Sequence, residues 1–486
     1  LWPLLLFPLF GMKTKNKSTY VGGMENLQVR TTPLSIDDAL HLLRRATLHP
    51  TYKAAKALVG LTPSEAVSRL LTAPVPPLAD LPWAQSAPNL QDFAANARLW
   101  SEMQQWWMSR VLTVPHVHEK LVMLWHNVFT SDYITVYIAQ WLLNQHKLLR
   151  SNATNYAVLA EKIVGDPAML RYLNGELSVK GRPNENFARE WFELFTLGIG
   201  HYTEMDILDA ARAFTGWRIN GVQGVYSKQL ADTGTKTILG KTGAWDWQDV
   251  VRITLESDAC SRYVARRIVK QFVEFYPSDE VVASVQKIVR DANYDINIIL
   301  QALLSSEYFY SANVRGALIK SPAELVIGLA ALLGALQVHP TYCVGAMTKL
   351  TQEPFYPPTV EGWKGHHAWI TSSTFPQRQR FAEAFIDGRQ AGSSSKLLDV
   401  DGKNYTPDVL SMIRQLPDAD DATKLVAHVA SLMLAVPVTQ KQLDVLLEIM
   451  LAGAQVYEWN IDSPSAPQRI KFLLQAIVRM PEYQLM

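Results

Sequence analysis

From Asn184 to Glu193 the chain reads NENFAREWFE, which puts two Asn, three Glu and one Arg into fewer than three helical turns. Carboxylates can carry protons or hold a cation, and a guanidinium can hold an anion, so this density permits chemistry. On a helix beginning near Asn184, three pairs stand four apart and share a face: Glu185 with Arg189, Asn186 with Glu190, and Arg189 with Glu193. Glu190 and Glu193, three apart, also converge. Asn184 is a natural N-cap. The structural account is that Arg189 bridges its two Glu neighbours while Asn184 caps the helix. The chemical account needs a second element.

Trp125-His126-Asn127 supplies one. His126 lies on a stretch whose Leu121, Leu124 and Phe129 call for burial. A lone core histidine is more often simply hydrogen-bonded than catalytic. Joined to carboxylates, it would bind a divalent metal or act as a general base oriented by Glu. Asp232 and Lys236 follow in a loop, where sites on rigid scaffolds are often completed. One expectation is therefore an enzyme, a metal-dependent or acid/base hydrolase. His126 would be base or ligand, Glu185 and Glu190 ligands or acid/base groups, and Arg189 and Lys236 anion-holding groups. Asn127, Asn184, Asn186, Asp232 and Trp217 would bind, and a divalent metal would sit on His126, Glu190 and Asp232. The other expectation, favoured here, is a scaffold or binding protein of the cell envelope whose polar network only fixes helix packing.

Competing motifs are weaker. His116-x-His118-Glu119 lacks the HExxH spacing that puts two ligands on one helical face. His366-His367 lies in a loop beside Trp363 and Trp369, and neighbouring histidines rarely ligate one ion together. The glycines at 216–243 match neither a Walker loop nor a dinucleotide fingerprint, and no GxSxG elbow occurs.

The elements that must position these residues are mostly helical. Ser35 with Asp38 predicts a capping box, and Thr62-Pro63 an N-cap with Pro at N1. Residues 73–90, rich in Pro, read as a linker. A helix follows over 91–112 with a core-facing stripe of Phe93, Leu99, Trp100, Met103, Trp106 and Trp107. Helices are predicted at 134–149, 153–164 and 167–173. Asn220-Gly221 predicts a type I′ hairpin turn, and 226–246 reads as loop. Further helices are predicted at 247–256, 259–275, 279–292, 295–305, 322–336, 372–387, 405–415, 420–433, 439–452 and 466–479, with a loop at 353–370. The class is all-α, a large multi-helix domain with a small β-hairpin and loop insertion near 217–246. Residues 1–34 form a disordered or mistranslated segment, 35–350 the main domain, and 351–486 a loop and helical subdomain packed on it.

The chain has 486 residues and a formal charge of +1 with Lys and Arg dispersed, which speaks against a nucleic-acid partner. Cys260 and Cys343 make no disulfide framework and read as buried small apolar residues. Residues 1–11, LWPLLLFPLFG, precede the basic run, the reverse of a secretory signal. They read as sequence upstream of a start at Met12 or Met24, which implies the cytoplasm. A clipped signal, the alternative, implies the periplasm or envelope. No later stretch reads as transmembrane.

The chain resembles the bacterial family known as domain of unknown function 1800, in the style of its Bacteroidetes members. The resemblance rests on LLRRATLHPT (42–51), KLVMLWHNVF (120–129), DPAMLRYLNG (166–175), PNENFAREWFELFTLG (183–198), YTEMDILDAARAFTGW (202–217), DTGTKTILGKTG (232–243), KSPAELVIG (320–328), PPTVEGWKGHHAWI (357–370) and MPEYQL (480–485). It implies a large helical protein without an assigned reaction. It also implies a protein partner from a second family, domain of unknown function 1501, which is similar to alkaline phosphatases and sulfatases. The family pattern often has His where this chain has Val128 and Ala231, so a metallic family site would be weakened here.

Overall fold

The computed structural model describes residues 27–486; the expectations for residues 1–11, and for Met12 and Met24 as starts, fall outside them. Helices begin where the sequence provides partners for their free N–H groups. Ser35 Oγ accepts from Asp38 N at 3.1 Å, and the Asp38 carboxylate accepts from Ser35 N at 3.2 Å, opening helix Ile36–Ala46. Thr62 and Glu65 do the same for Pro63–Thr72, with Pro63 at N1. Within the 1–34 segment, residues 27–34 touch the fold at a few points. Val29 pairs with Ser306, Arg30 bridges to Asp38 at 3.1 Å, and Leu34 is buried.

The fold is all-α. Among the described residues the only sheets are three two-stranded antiparallel hairpins. Helix Phe93–Thr113 packs on Ala139–Ser151 and on Pro340–Lys349, and Val117–His126 packs on Ala139–Ser151. Asp258–Phe272 pairs with Asp279–Asp291, and Gln440–Leu451 with Ala466–Arg479. Buried apolar side chains from Leu34 to Tyr483 form one continuous cluster. Among the described residues no helix is long and apolar enough to cross a membrane.

Several boundaries differ from expectation for local reasons. The 134–149 helix is two, Tyr133–Val136 and Ala139–Ser151, broken at Tyr137 with φ 43°. Of 405–415 only Val409–Ile413 is helical, because Pro407 disfavours helix at the residue before it and Asp408 caps after it. Asn404–Tyr405 instead pairs with Leu397–Leu398. Helix Pro340–Lys349 was not expected, although His339 caps it and Pro340 stands at N1. The first hairpin pairs Asn220 with Gln223, so its turn is Gly221-Val222, one residue later than predicted. Gly221 alone there has positive φ (59°), a type II′ pattern. The 226–246 loop contains a second hairpin, Lys236–Ile238 with Lys241–Gly243. Phe93, placed on the core stripe, is 64% exposed, while Met103 and Trp107 of that stripe are buried. Both cysteines are free and buried, and burial pushes their thiols up to about 12.

Candidate functional site

The central helix runs Glu185–Glu190 and continues as a π-helical turn, Trp191–Thr196. Asn184 caps it, accepting from Asn186 N at 2.9 Å. Arg189 bonds Glu185 at 3.4 Å, as the spacing predicts, but not Glu193. Its main partner is Glu204, on the next helix, which takes two bonds at 2.9 Å. Glu193 accepts from the Tyr202 hydroxyl at 2.9 Å. These groups sit at the surface: Glu185 and Asn186 are exposed and the Arg189 side chain is 36% exposed. Glu190 is half-buried. Burial holds its carboxyl above the usual range, and Glu193 and Glu361 add to the rise.

Asp232 and Lys236 form a separate unit. The Asp232 carboxylate accepts from Arg212 Nε at 3.0 Å and from Gly234 N at 2.8 Å. Lys236 is 1% exposed and its ammonium donates to the carbonyls of Asp232, Gly234 and Trp245 at 2.6–2.9 Å. All three of its donors are spent on the loop, so it cannot hold an anion as predicted. Trp217 is 9% exposed, set against Tyr226 and Trp247. It lies so close to Gly165 that a Cβ there would come within 2.6 Å of the indole. That packing fixes the hairpin and leaves Trp217 no open face toward a ligand.

His126 faces aromatic rings. Phe355 and Trp363 lie 5.3 and 5.8 Å from its ring centre. Its Nε2 is enclosed without a hydrogen-bond partner, and burial alone brings its pKa down to about 4. No carboxylate acts on it. His146, also with a partnerless Nε2, lines the same cavity of about 20 Å³. Next along the chain, Asn127 is a clamp. Its Oδ1 accepts from Trp363 N at 2.7 Å and its Nδ2 donates to Trp363 O at 3.3 Å. Gly362, with φ 78°, passes so near that a Cβ would stand 2.3 Å from Asn127 Oδ1. Thr130 holds Val360 O at 2.6 Å, so loop 353–370 is fixed to this helix end.

The expected metal set of His126, Glu190 and Asp232 is therefore not brought together. Among the described residues no three of His, Cys, Asp and Glu converge to hold an ion. Several concavities lie elsewhere. One, about 830 Å³, runs between helices Pro340–Lys349 and Thr374–Ile386 and the 397–405 hairpin. Its apolar surface comes from Tyr342, Ala346, Leu350, Phe381, Leu398 and Val400, and Lys349 and Arg380 stand on its rim. Another, about 140 Å³, lies between helix Asp258–Phe272 and loop 353–370, with Arg267, Lys270, Lys364 and His366 in its wall.

A family model described as "Protein of unknown function (DUF1800)" matches residues 41–485. The chain belongs to the DUF1800 family. No curated protein and no solved structure matches it.

In this DUF1800 chain Val128 and Ala231, where the resemblance implies histidine, are filled by packing. Val128 is 1% exposed within the core, and Ala231 is buried against Gly216, whose added Cβ would lie 3.2 Å from the Ala231 methyl. The sequence reading missed the groove because helix Pro340–Lys349, one of its walls, went unrecognised. It also set His366 aside as half of an unlikely ligand pair. The signal that would have found the basic pocket is Arg267 with Lys270, three apart on one helix face with a single acidic residue at i±4, Glu274, which instead accepts from the Tyr308 hydroxyl.

Proposed function

We propose that this DUF1800 member is a non-catalytic binding protein whose 830 Å³ groove takes an apolar molecule with an anionic end. The observation that carries this is the lining: a floor of Tyr342, Phe381, Leu398 and Val400 under a rim bearing Lys349 and Arg380, with no carboxylate among the described lining residues. Leu398 and Val400 are 40% and 58% exposed, so their burial by a ligand would contribute roughly 25 cal/mol per Å². The two cations would orient the ligand's charged end. A groove of this size lies within the range of small-molecule sites. Work at the cell envelope suits the same reading, because amphipathic anions are abundant there.

The test is fluorescence titration with 8-anilinonaphthalene-1-sulfonate, an apolar anion. Saturable one-site binding is expected, weakened about tenfold in Lys349→Ala/Arg380→Ala, the equivalent of about 1.4 kcal/mol. Val400→Asp should block it. Absence of saturable binding, or equal binding in both variants, would overturn the proposal.

One observation favours a second reading. Burial raises the Glu190 carboxyl above its ordinary value and nearby Glu193 adds to the rise, and two carboxyls in unequal environments are the pattern of an acid/base pair. A hydrolase would then use Glu190 without His126, Asp232 or Lys236. Assays of ester, phosphoester and glycoside hydrolysis decide it: an activity lost in Glu190→Gln supports the second reading, and no activity in the parent removes it.

A further inference from the structure

Helix Asp258–Phe272 presents Arg267 and Lys270 to the 140 Å³ pocket, and neither has a carboxylate partner among the described residues. Arg267 donates to the Tyr263 hydroxyl at 2.9 Å, and the Lys270 ammonium lies 4.5 Å over the Phe275 ring. Across the pocket, Lys364 is exposed, and His366 Nε2 meets Ala317 O at 3.2 Å. That bond makes Nε2 the N–H of the neutral ring, so the buried, partnerless Nδ1 is an acceptor with nothing to accept.

Buried cations also connect to the lining: Lys120 bonds Glu324, Lys320 stands between the lining residues Ile319 and Ser321, and Arg378 bonds Lys320 O. Arg44, Arg45, Lys120, Lys320 and Arg378 are each at most 9% exposed. Most are held by neutral oxygens: Arg45 by Val273 O and Val314 O, Lys320 by Tyr483 O, and Arg378 by Gln484 Oε1 and Lys320 O. Carbonyls satisfy hydrogen bonds but do not cancel charge. Glu324, the one side-chain carboxylate in the pocket wall, is already neutralised by Lys120 at 2.9 Å and bonded to Ser321 N at 2.7 Å. Buried charge with little counter-charge is costly, and an anion in the pocket would add to what Glu324, Glu274 and Asp37 supply.

We propose that the pocket bounded by Arg267, Lys270, Lys364 and His366 binds a small oxyanion, of phosphate or sulfate type. At about 140 Å³ it has room for several waters' share of liquid volume, about 30 Å³ each, and so for one such ion. Binding is coupled to a proton. An oxyanion offers His366 Nδ1 only acceptors, so the ring must be protonated to donate. Empty, the ring is kept neutral chiefly by burial, with His367 and Lys270 adding to the effect. The charged or titratable groups around it are His367 and Lys364 on its own loop, Arg267 and Lys270 on the facing helix, Tyr276, the Lys120-bound Glu324, and Met486 with its terminal carboxylate, which also lines the pocket. The anion reverses that bias, so affinity rises as pH falls.

The experiment is calorimetric titration of the full chain with sulfate, whose charge does not change between about pH 5.5 and 8. Saturable binding is expected, tightening severalfold from about pH 7.5 to 6. Lys270→Met and Arg267→Gln should weaken it at least tenfold, and Lys364→Ala severalfold. His366→Gln should flatten the pH profile. Lys241→Ala, which removes a surface cation paired with Glu256, should bind like the parent. If the half-buried substitutions unfold the protein, Lys364→Ala and His366→Gln still decide. Inorganic phosphate against glycerol 3-phosphate then separates a free ion from a headgroup, either preference supporting the site. Failure to bind sulfate or phosphate at about 10 mM, or binding equal in Lys364→Ala and parent, would overturn it. These residues lie outside the groove, so failure here leaves the reading of the groove standing.

Discussion

The segment 184–245 and the shell around Glu324 both crowd charged groups, and they deal with them in opposite ways. In the first, partners are close in sequence and lie at or near the surface: Arg189 with Glu185 and Glu204, Arg212 with Asp209 and Asp232. In the second, partners come from remote stretches and are buried. Lys120 meets Glu324, and Arg44 reaches Ser431 O, 387 residues away. Sequence density marks the first region but not the second. Local charge clusters tend to consume themselves, whereas charge gathered by tertiary packing can be left in excess.

The largest expected effect lies in the second region. Lys120→Met would leave Glu324 buried without its cation and should cost about 3–5 kcal/mol in denaturant unfolding. Adding Glu324→Gln should recover much of that loss, and a double variant as unstable as the single one would break the comparison. Lys236→Ala comes next, because it strands three carbonyls in a site 1% exposed. A loss of about 2–3 kcal/mol is expected, read from the unfolding midpoint, with little change in the far-ultraviolet dichroism of the helices. The smallest effect is expected for Arg189→Ala, whose exposed pairs are screened by water. Its unfolding curve should overlay the parent's. A destabilisation there matching that of Lys120→Met would mean the surface cluster has the weight its sequence density suggests.

Most of the helical fold was legible because helix starts are local chemistry: Ser35 with Asp38, Thr62 with Pro63 and Asn184 each announce themselves within a few residues. The Arg189–Glu185 pair was legible for the same reason. Glu204 as the stronger partner was not, since it depends on how the next helix returns. The roles of Asn127 and Lys236 were hidden because each is fixed by backbone oxygens or amides of a loop, which no side-chain pattern encodes. The basic pocket is the extreme case. Its walls come from 123–127, 267–275, 318–324 and 363–369, and nothing in any one of these stretches refers to the others.

The closure of the molecule by residues 483–486 has a consequence for synthesis. Lys320 donates to Tyr483 O across 163 residues, Arg378 to Gln484, and Leu318 exchanges backbone bonds with Met486. Helix Ile36–Ala46 likewise waits for Ala422–Met433. During translation, helix Ile36–Ala46 must persist without this neighbour until residues 422–433 have been made. Throughout that interval Arg44 and Lys320 remain solvated rather than enclosed. Until those partners are made, neither Arg44 nor Lys320 has the backbone oxygens that hold it in the folded chain.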